Sequence, residues 1–164
     1  SATEAFNTGI DTRDRNACVV CGWKVEGCVD HAHIIPRTAN STWEELREQG
    51  LIPLRAKSVA HECRNGILMC KNHHSAFDCF YFYIRYIPER LAYVFVNHSK
   101  HLDLALWNDK DVRIDPDDPR APWAVLFAYH EGIVRATRPF GASVVTLPAP
   151  PSSPSAHSTH YTPD

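Results

Sequence analysis

Two short cysteine and histidine pairs constrain this chain more than any other feature of its sequence. Two residues separate Cys18 from Cys21, and the same gap separates Cys70 from His73. This gap is the usual spacing of a zinc knuckle, and two knuckles complete a closed tetrahedral site of three thiolates and one imidazole. The sequence therefore predicts a structural Zn²⁺ that ties an N-terminal turn to a distant segment and helps the chain to fold.

The cysteines also allow a different interpretation, which is a disulfide framework. If zinc is bound, Cys28, Cys63 and Cys79 are spare thiols, and this favours a reducing compartment, nuclear or cytoplasmic. The sequence contains no signal-peptide pattern and no apolar run of membrane-spanning length, so we expect no membrane partner. A secreted, disulfide-linked protein is the competing interpretation.

Length and charge limit how the chain could meet a nucleic acid. Its 164 residues suffice for one domain with a real core, and its net charge is −2. Bulk positive charge therefore cannot hold it on nucleic acid, and contacts must come from local basic residues or bridging metal ions. Arg37 and Lys71 lie close to the motifs and are the candidates for phosphate contacts.

A second set of metal ligands follows the zinc knuckle directly. His74 and Asp78 are four residues apart on a predicted helix over residues 73–80, so both side chains lie on one face and can share a cation. His73 projects about 100° away around the same helix, as its role at the zinc requires. The adjacent histidines thus predict two different metal sites.

A histidine outside both ligand sets supplies a candidate base. His33 ends a predicted strand over residues 28–35. A neutral imidazole at this position could take a proton from water, while a divalent ion neutralises charge on a phosphate. Together these groups predict metal-assisted hydrolysis of a phosphodiester.

In their order and spacing, Asp30, His33, Asn65, His74 and Asp78 resemble the motif of the HNH endonucleases. The resemblance implies a ββα-metal fold and a nuclease that cuts DNA, double-stranded by expectation, with RNA as the alternative substrate. It implies that His33 is the general base, that Asn65 braces the loop carrying it, and that His74 and Asp78 bind the catalytic ion. That ion would be Mg²⁺, Mn²⁺, Ni²⁺ or Zn²⁺, and the products would be 5′-phosphate and 3′-hydroxyl ends.

The resemblance extends beyond the motif itself. The flanking cysteines are similar to those of the zinc-stapled subset of the family. The runs 32–36, 65–78, 80–88 and 94–99 are similar to HNH proteins predicted in fungi. The chain departs from the usual pattern at Ala32, where many HNH enzymes place a metal ligand directly before the base.

Asp30 or His31 must then supply the missing ligand. Strand alternation places His31 on the face of His33, whereas a bulge could bring Asp30 to the metal. A carboxylate suits a hard cation such as Mg²⁺ better, which favours Asp30. If neither side chain reaches the ion, the chain would be a catalytically decayed HNH scaffold that serves as a zinc-stabilised module for binding nucleic acid or protein.

These features predict an α+β fold. We expect an HNH domain over residues 1–146, with its core at 18–80, and a disordered Pro/Ser-rich tail over 147–164. After the core, the sequence predicts a β-hairpin of strands 81–87 and 92–97 and a C-terminal helix from Pro122 to Gly132. Three smaller expectations are a helix over 43–49 with a capping box at Ser41 or Thr42, a stop at Gly50, and a third strand at 112–114.

Overall fold

Over the described residues, the fold combines four α-helices with two small antiparallel sheets, in agreement with the predicted α+β class. The computed structural model describes residues 1–141, so the predicted tail over 147–164 lies outside the described residues. The helices and strands are α1 (Ala2–Asp14), β1 (Val29–His33), α2 (Asn40–Glu48), β2 (Gly66–Cys70), α3 (Lys71–Asp78), β3 (Tyr83–Ile87), β4 (Ala92–Val96) and α4 (Ala124–Thr137). No helix in this part of the chain is long and apolar enough to cross a membrane.

Strands β1 and β2 and helix α3 form the unit that carries the motif residues. The two strands pair antiparallel, with Val29 opposite Cys70 and His33 opposite Gly66. Helix α3 starts at Lys71, immediately after β2, because Cys70 is both the last strand residue and the residue that precedes the helix. The predicted start at His73 was therefore two residues late, and the direct junction holds α3 beside β1.

The predicted β-hairpin is present, formed by β3 and β4. Tyr83 pairs with Val96 and Ile87 with Ala92, and a short 3₁₀ turn over Pro88–Arg90 joins the strands. Alternating β-branched and aromatic residues favour such a pair when one face is covered. The cover comes from α4, since Phe127 of α4 packs on Tyr93 of β4 with ring centroids 5.4 Å apart. Helix α4 also contacts α3, where His130 stacks on Phe77 with ring centroids 3.7 Å apart.

Two helix boundaries differ from those that the sequence predicted. Helix α2 begins at Asn40 after Ala39, three residues earlier than predicted and with no side-chain cap. The expected capping box at Ser41 or Thr42 does not form, whereas the stop at Gly50 is confirmed by its φ of +69°.

Helix α4 continues through Gly132 to Thr137. A glycine inside a helix costs about 1 kcal/mol relative to alanine. Contacts beyond it offset that cost, since Val134 is fully buried and Arg135 donates to the Tyr83 hydroxyl across 2.8 Å. The expected strand at 112–114 is also wrong. Only a single bridge forms, between Asp111 and Val94.

Helix α1 covers the face of the β1–β2 sheet that the main core leaves open. Phe6 and Ile10 pack on Leu68 as a separate small apolar cluster. The buried guanidinium of Arg13 pairs with Asp14 and donates to the carbonyl oxygen of Gly66 across 2.7 Å. Helix α1 is therefore tied to the strand that leads into α3.

Candidate zinc centre and candidate active site

The four predicted zinc ligands converge on one point. The ligand atoms of Cys18, Cys21, Cys70 and His73 all lie within 4.8 Å of one another. The Cys18 sulfur is 3.6 Å from His73 Nδ1, and the Cys21 and Cys70 sulfurs are 3.9 Å apart. Bond lengths of about 2.0–2.3 Å in a tetrahedron require ligand separations of about 3.5–3.8 Å. The cluster could therefore hold a zinc ion.

Local backbone structure places these ligands. A tight turn brings the thiols of Cys18 and Cys21 together. In this turn the Gly22 N–H donates to the Cys18 carbonyl, and the Cys18 N–H donates to the Trp23 carbonyl. Burial opposes the thiolate of Cys18, but hydrogen bonds from His73 and nearby backbone N–H groups outweigh it and lower its pKa to about 6. Backbone donors aimed at sulfur are what a bound thiolate needs.

The disulfide alternative is not supported, because all six cysteines are free. A disulfide needs two sulfurs about 2 Å apart. The Cys21 and Cys70 sulfurs stand nearly twice as far from each other, at 3.9 Å.

His33 is held by a backbone carbonyl and by an aromatic ring. Its Nε2 lies 3.1 Å from the Ala60 carbonyl oxygen, so Nε2 carries the proton and Nδ1 keeps its lone pair. The imidazole stacks on Phe6 of α1, with centroids 4.6 Å apart and planes 12° from parallel. Burial, assisted by the nearby charge of Arg37, lowers the pKa of His33, so the ring is neutral at neutral pH.

Asn65 joins the two segments that surround His33. Its fully buried side chain accepts from the Ile35 N–H and donates to the carbonyls of Ile35 and Val59, each across 2.9 Å. Ile35 follows the strand that carries His33, and Val59 precedes Ala60, which fixes the imidazole. Asn65 thus determines both the backbone that carries the ring and the carbonyl that orients it.

His74 lies between two carboxylates. Its Nδ1 is 3.0 Å from Asp30 and its Nε2 is 3.1 Å from Asp78. Asp30 also accepts from Lys71 Nζ across 2.6 Å. The hydrogen bond from His74, and then that from Lys71, lowers the pKa of Asp30, which keeps it ionised.

His31 points away from this cluster. Its Nε2 contacts Asp11 of α1 across 2.7 Å, on the side of β1 that also carries His33. Of the two candidates for the missing ligand, Asp30 is the one that contacts His74.

The structure brings some of the predicted active-site residues together and keeps others apart. Asp30, His74 and Asp78 are in contact, whereas His33 lies on the opposite face of β1, against Phe6. Within residues 1–141, the zinc ligands are the only group of three or more metal-binding side chains whose ligand atoms converge on one point. The carboxylates of Asp30 and Asp78 flank the imidazole rather than facing a common point.

The predicted phosphate contacts differ from each other. Arg37 is exposed and close enough to lower the pKa of His33, while Lys71 is already paired with Asp30. Sequence reasoning missed Phe6 and Ala60. The spacing of Phe6 and Ile10, one helical turn apart in a polar segment, was the signal for Phe6, whereas a backbone carbonyl gives no sequence signal.

Comparison with known proteins identifies the segment that contains both centres. Residues 18–85 match the sequence model of a family described as HNH endonuclease. This segment belongs to the HNH endonuclease family. The match includes both zinc knuckles, His33, Asn65 and the His74 cluster, while α1 precedes it and α4 follows it. No match to the chain was found among curated proteins. HNH membership supports a nuclease activity that uses divalent metal ions and acts on nucleic acid.

Proposed function

We propose that this chain is a metal-dependent HNH endonuclease that hydrolyses DNA phosphodiester bonds, with His33 as the general base. The observation that carries the proposal is the state of His33. Its Nε2 is engaged by Ala60 O, and its pKa is lowered, so that Nδ1 is available to accept a proton. A base with a lowered pKa and a fixed tautomer is suited to activating water near neutral pH.

In this proposal, each neighbouring side chain has a separate task. His33 Nδ1 takes a proton from the water that attacks phosphorus, and Asn65 is a positioning residue that holds the ring through Ile35 and Val59. Arg37, which is exposed near His33, would contact the phosphate. As the water oxygen bonds to phosphorus, the bond to the 3′ oxygen breaks, and solvent protonates that oxygen to give 5′-phosphate and 3′-hydroxyl ends.

The residues around His74 fit a divalent cation such as Mg²⁺ or Mn²⁺. The His74 imidazole and one of its two carboxylate partners are suitable ligands for such an ion. His74 would bind through one ring nitrogen while the other keeps its carboxylate partner, an arrangement common at metal-bound histidines. When bound, the ion would neutralise phosphate charge and stabilise the leaving oxygen. Because His33 and His74 lie on opposite faces of β1, the proposal requires a phosphate that spans the edge of this strand.

Plasmid nicking with Mg²⁺, Mn²⁺ or Ni²⁺ tests the proposal. We expect His33→Ala to lower the rate about 10²- to 10⁴-fold, the usual contribution of general-base catalysis. The matched control is His61→Ala, which removes another imidazole near His33 whose own contact is Ser58. Equal rates for the His33 variant and the wild type would refute the assignment of the base.

One observation favours a second candidate, a decayed HNH scaffold that binds nucleic acid or protein. Both ring nitrogens of His74 are occupied by carboxylates, and Ala32 before the base is fully buried. Metal counting separates the two functions. One tightly held zinc and no Mn²⁺ bound at His74 would favour the scaffold, whereas a second, exchangeable ion would favour the nuclease.

A further inference from the structure

A groove with aromatic walls lies on the side of α3 away from His74. It has a volume of about 880 Å³ and is lined by a face of α3 formed by Asn72, Ser75, Ala76 and Cys79. These residues recur at the spacing of one helical face, whereas His74 and Asp78 occupy another. The groove therefore adjoins the candidate active site without being part of it.

Three aromatic side chains line this groove. Trp23 follows the first zinc knuckle and is 51% exposed, while Tyr81 and Trp107 line the groove from segments on either side of the hairpin. The backbone of Trp23 is held by the turn, because its carbonyl accepts from the Cys18 N–H and its backbone N–H donates to the Cys21 sulfur. The indole of Trp23 thus projects from an anchored backbone and exposes a flat face that can stack on another ring.

Two basic side chains each lie against one of these rings. Arg138 lies over the Tyr81 ring at 4.0 Å from its centroid, and Lys110 lies over Trp107 at 5.7 Å. Neither cation lines the groove itself, and Arg138 also donates to the Phe80 carbonyl, but both place positive charge against rings that do line it. Asp103 contributes one negative charge to the lining. Aromatic surfaces next to cations are how proteins bind single-stranded nucleic acid, since every base has a face to stack and every linkage a charge to neutralise.

Lys71 connects the groove with the active site. Its side chain lines the groove, and its Nζ contacts Asp30, the partner of His74. A strand with its phosphate at Asp30 and His74 would therefore continue past Lys71 into the groove. We propose that the groove binds unpaired nucleotides that flank the scissile phosphate, with a base stacked on Trp23. This inference rests on the proposed function, because it takes nucleic acid as the substrate.

Binding of labelled single strands, measured by fluorescence anisotropy, tests the groove separately from catalysis. The background is His33→Ala, so the strand is not consumed, and the probes are oligo-dT and oligo-U of about 12 nucleotides, within the usual size of single-strand sites. We expect Trp23→Ala to weaken binding about 5- to 100-fold, the loss of one stacked base. Lys110→Glu should also weaken it. DNA and RNA should respond alike, because stacking does not involve the sugar hydroxyl.

Leu54→Ala is the matched control, because Leu54 is 77% exposed and does not line the groove. Its affinity should stay within about twofold of the parent. Unchanged affinity in both groove variants would overturn the inference, as would equal competition by a duplex. If the groove variants change the oligomeric state of the protein but not its affinity for single strands, the groove binds a second copy of the chain and the inference is overturned. If the wild type does not nick DNA but Trp23→Ala still weakens single-strand binding, the proposed nuclease is refuted and the proposed groove is supported. If the wild type nicks DNA but Trp23→Ala leaves the single-strand affinity unchanged, the groove is refuted and the nuclease is supported.

Discussion

Replacing Asn65 by alanine should damage both stability and activity, because one buried side chain links the two segments around His33. The substitution removes three hydrogen bonds of 2.9 Å, each worth about 1 kcal/mol net. It also leaves the buried Ile35 N–H and two carbonyls without their partner. We expect a loss of about 3 kcal/mol in the free energy of unfolding. For a domain of this size that corresponds to about 6–12 °C in Tm.

Thermal and urea unfolding followed by circular dichroism give the stability, and plasmid nicking well below the Tm of the variant gives the activity of the folded protein. We expect activity to fall even there, because Ala60 no longer holds His33 in one orientation. Asn40→Ala is the matched control. Asn40 is exposed, and its side chain donates a long hydrogen bond of 3.4 Å to the Thr38 carbonyl, so its replacement should lower the free energy of unfolding by less than about 0.5 kcal/mol. A Tm for the Asn65 variant within about 2 °C of the wild type, with full activity, would refute the reasoning.

Three further predictions concern pH and metal ions. Burial lowers the pKa of His130 from 6.5 to about 4, so the unfolded chain binds more protons than the folded chain between these two pH values. The contribution of His130 to the free energy of unfolding should therefore fall by about 3 kcal/mol from pH 7 to pH 4. Urea titrations at the two pH values should show that His130→Phe removes most of this fall. A chelator should release one zinc per chain, which a colorimetric indicator detects. It should also lower the Tm sharply, since the ion would join two distant segments. Release of zinc without loss of structure would contradict a structural role. In calorimetric titrations with Mn²⁺, Asp30→Asn should weaken binding while His31→Ala should not, because only Asp30 contacts His74; the opposite order would identify His31 as the ligand.

Local spacing in the sequence was enough to predict several parts of this protein. Two pairs with two-residue gaps predicted the cluster of Cys18, Cys21, Cys70 and His73, which could hold a zinc ion, because such gaps determine which side chains a tight turn can bring together. The i, i+4 spacing of His74 and Asp78 placed both on one face of α3 in the same way. The hairpin followed from two runs of β-forming residues around a proline turn. The spacing within each knuckle, the His74–Asp78 pair and the hairpin depend on near neighbours in the chain, whereas the meeting of the two knuckles joins distant segments.

Helix boundaries were less predictable, because tertiary packing overrides local signals. Gly132 should have ended α4, but contacts of Val134 and Arg135 with the rest of the fold extend the helix beyond it. Ser41 or Thr42 was expected to cap α2, but the helix already begins at Asn40, so both lie inside its first turn.

The environment of His33 was decided by tertiary structure alone. The sequence identified His33 and Asn65, but not that Phe6 stacks on the imidazole, nor that Ala60 fixes its tautomer. It also left open whether Asp30 or His31 meets His74. Those contacts join segments far apart in the chain, and they form only when α1, α3 and the loop before Asn65 pack around β1. The sequence by itself thus determined which groups are present, and the packing of distant segments decided which nitrogen of His33 is free.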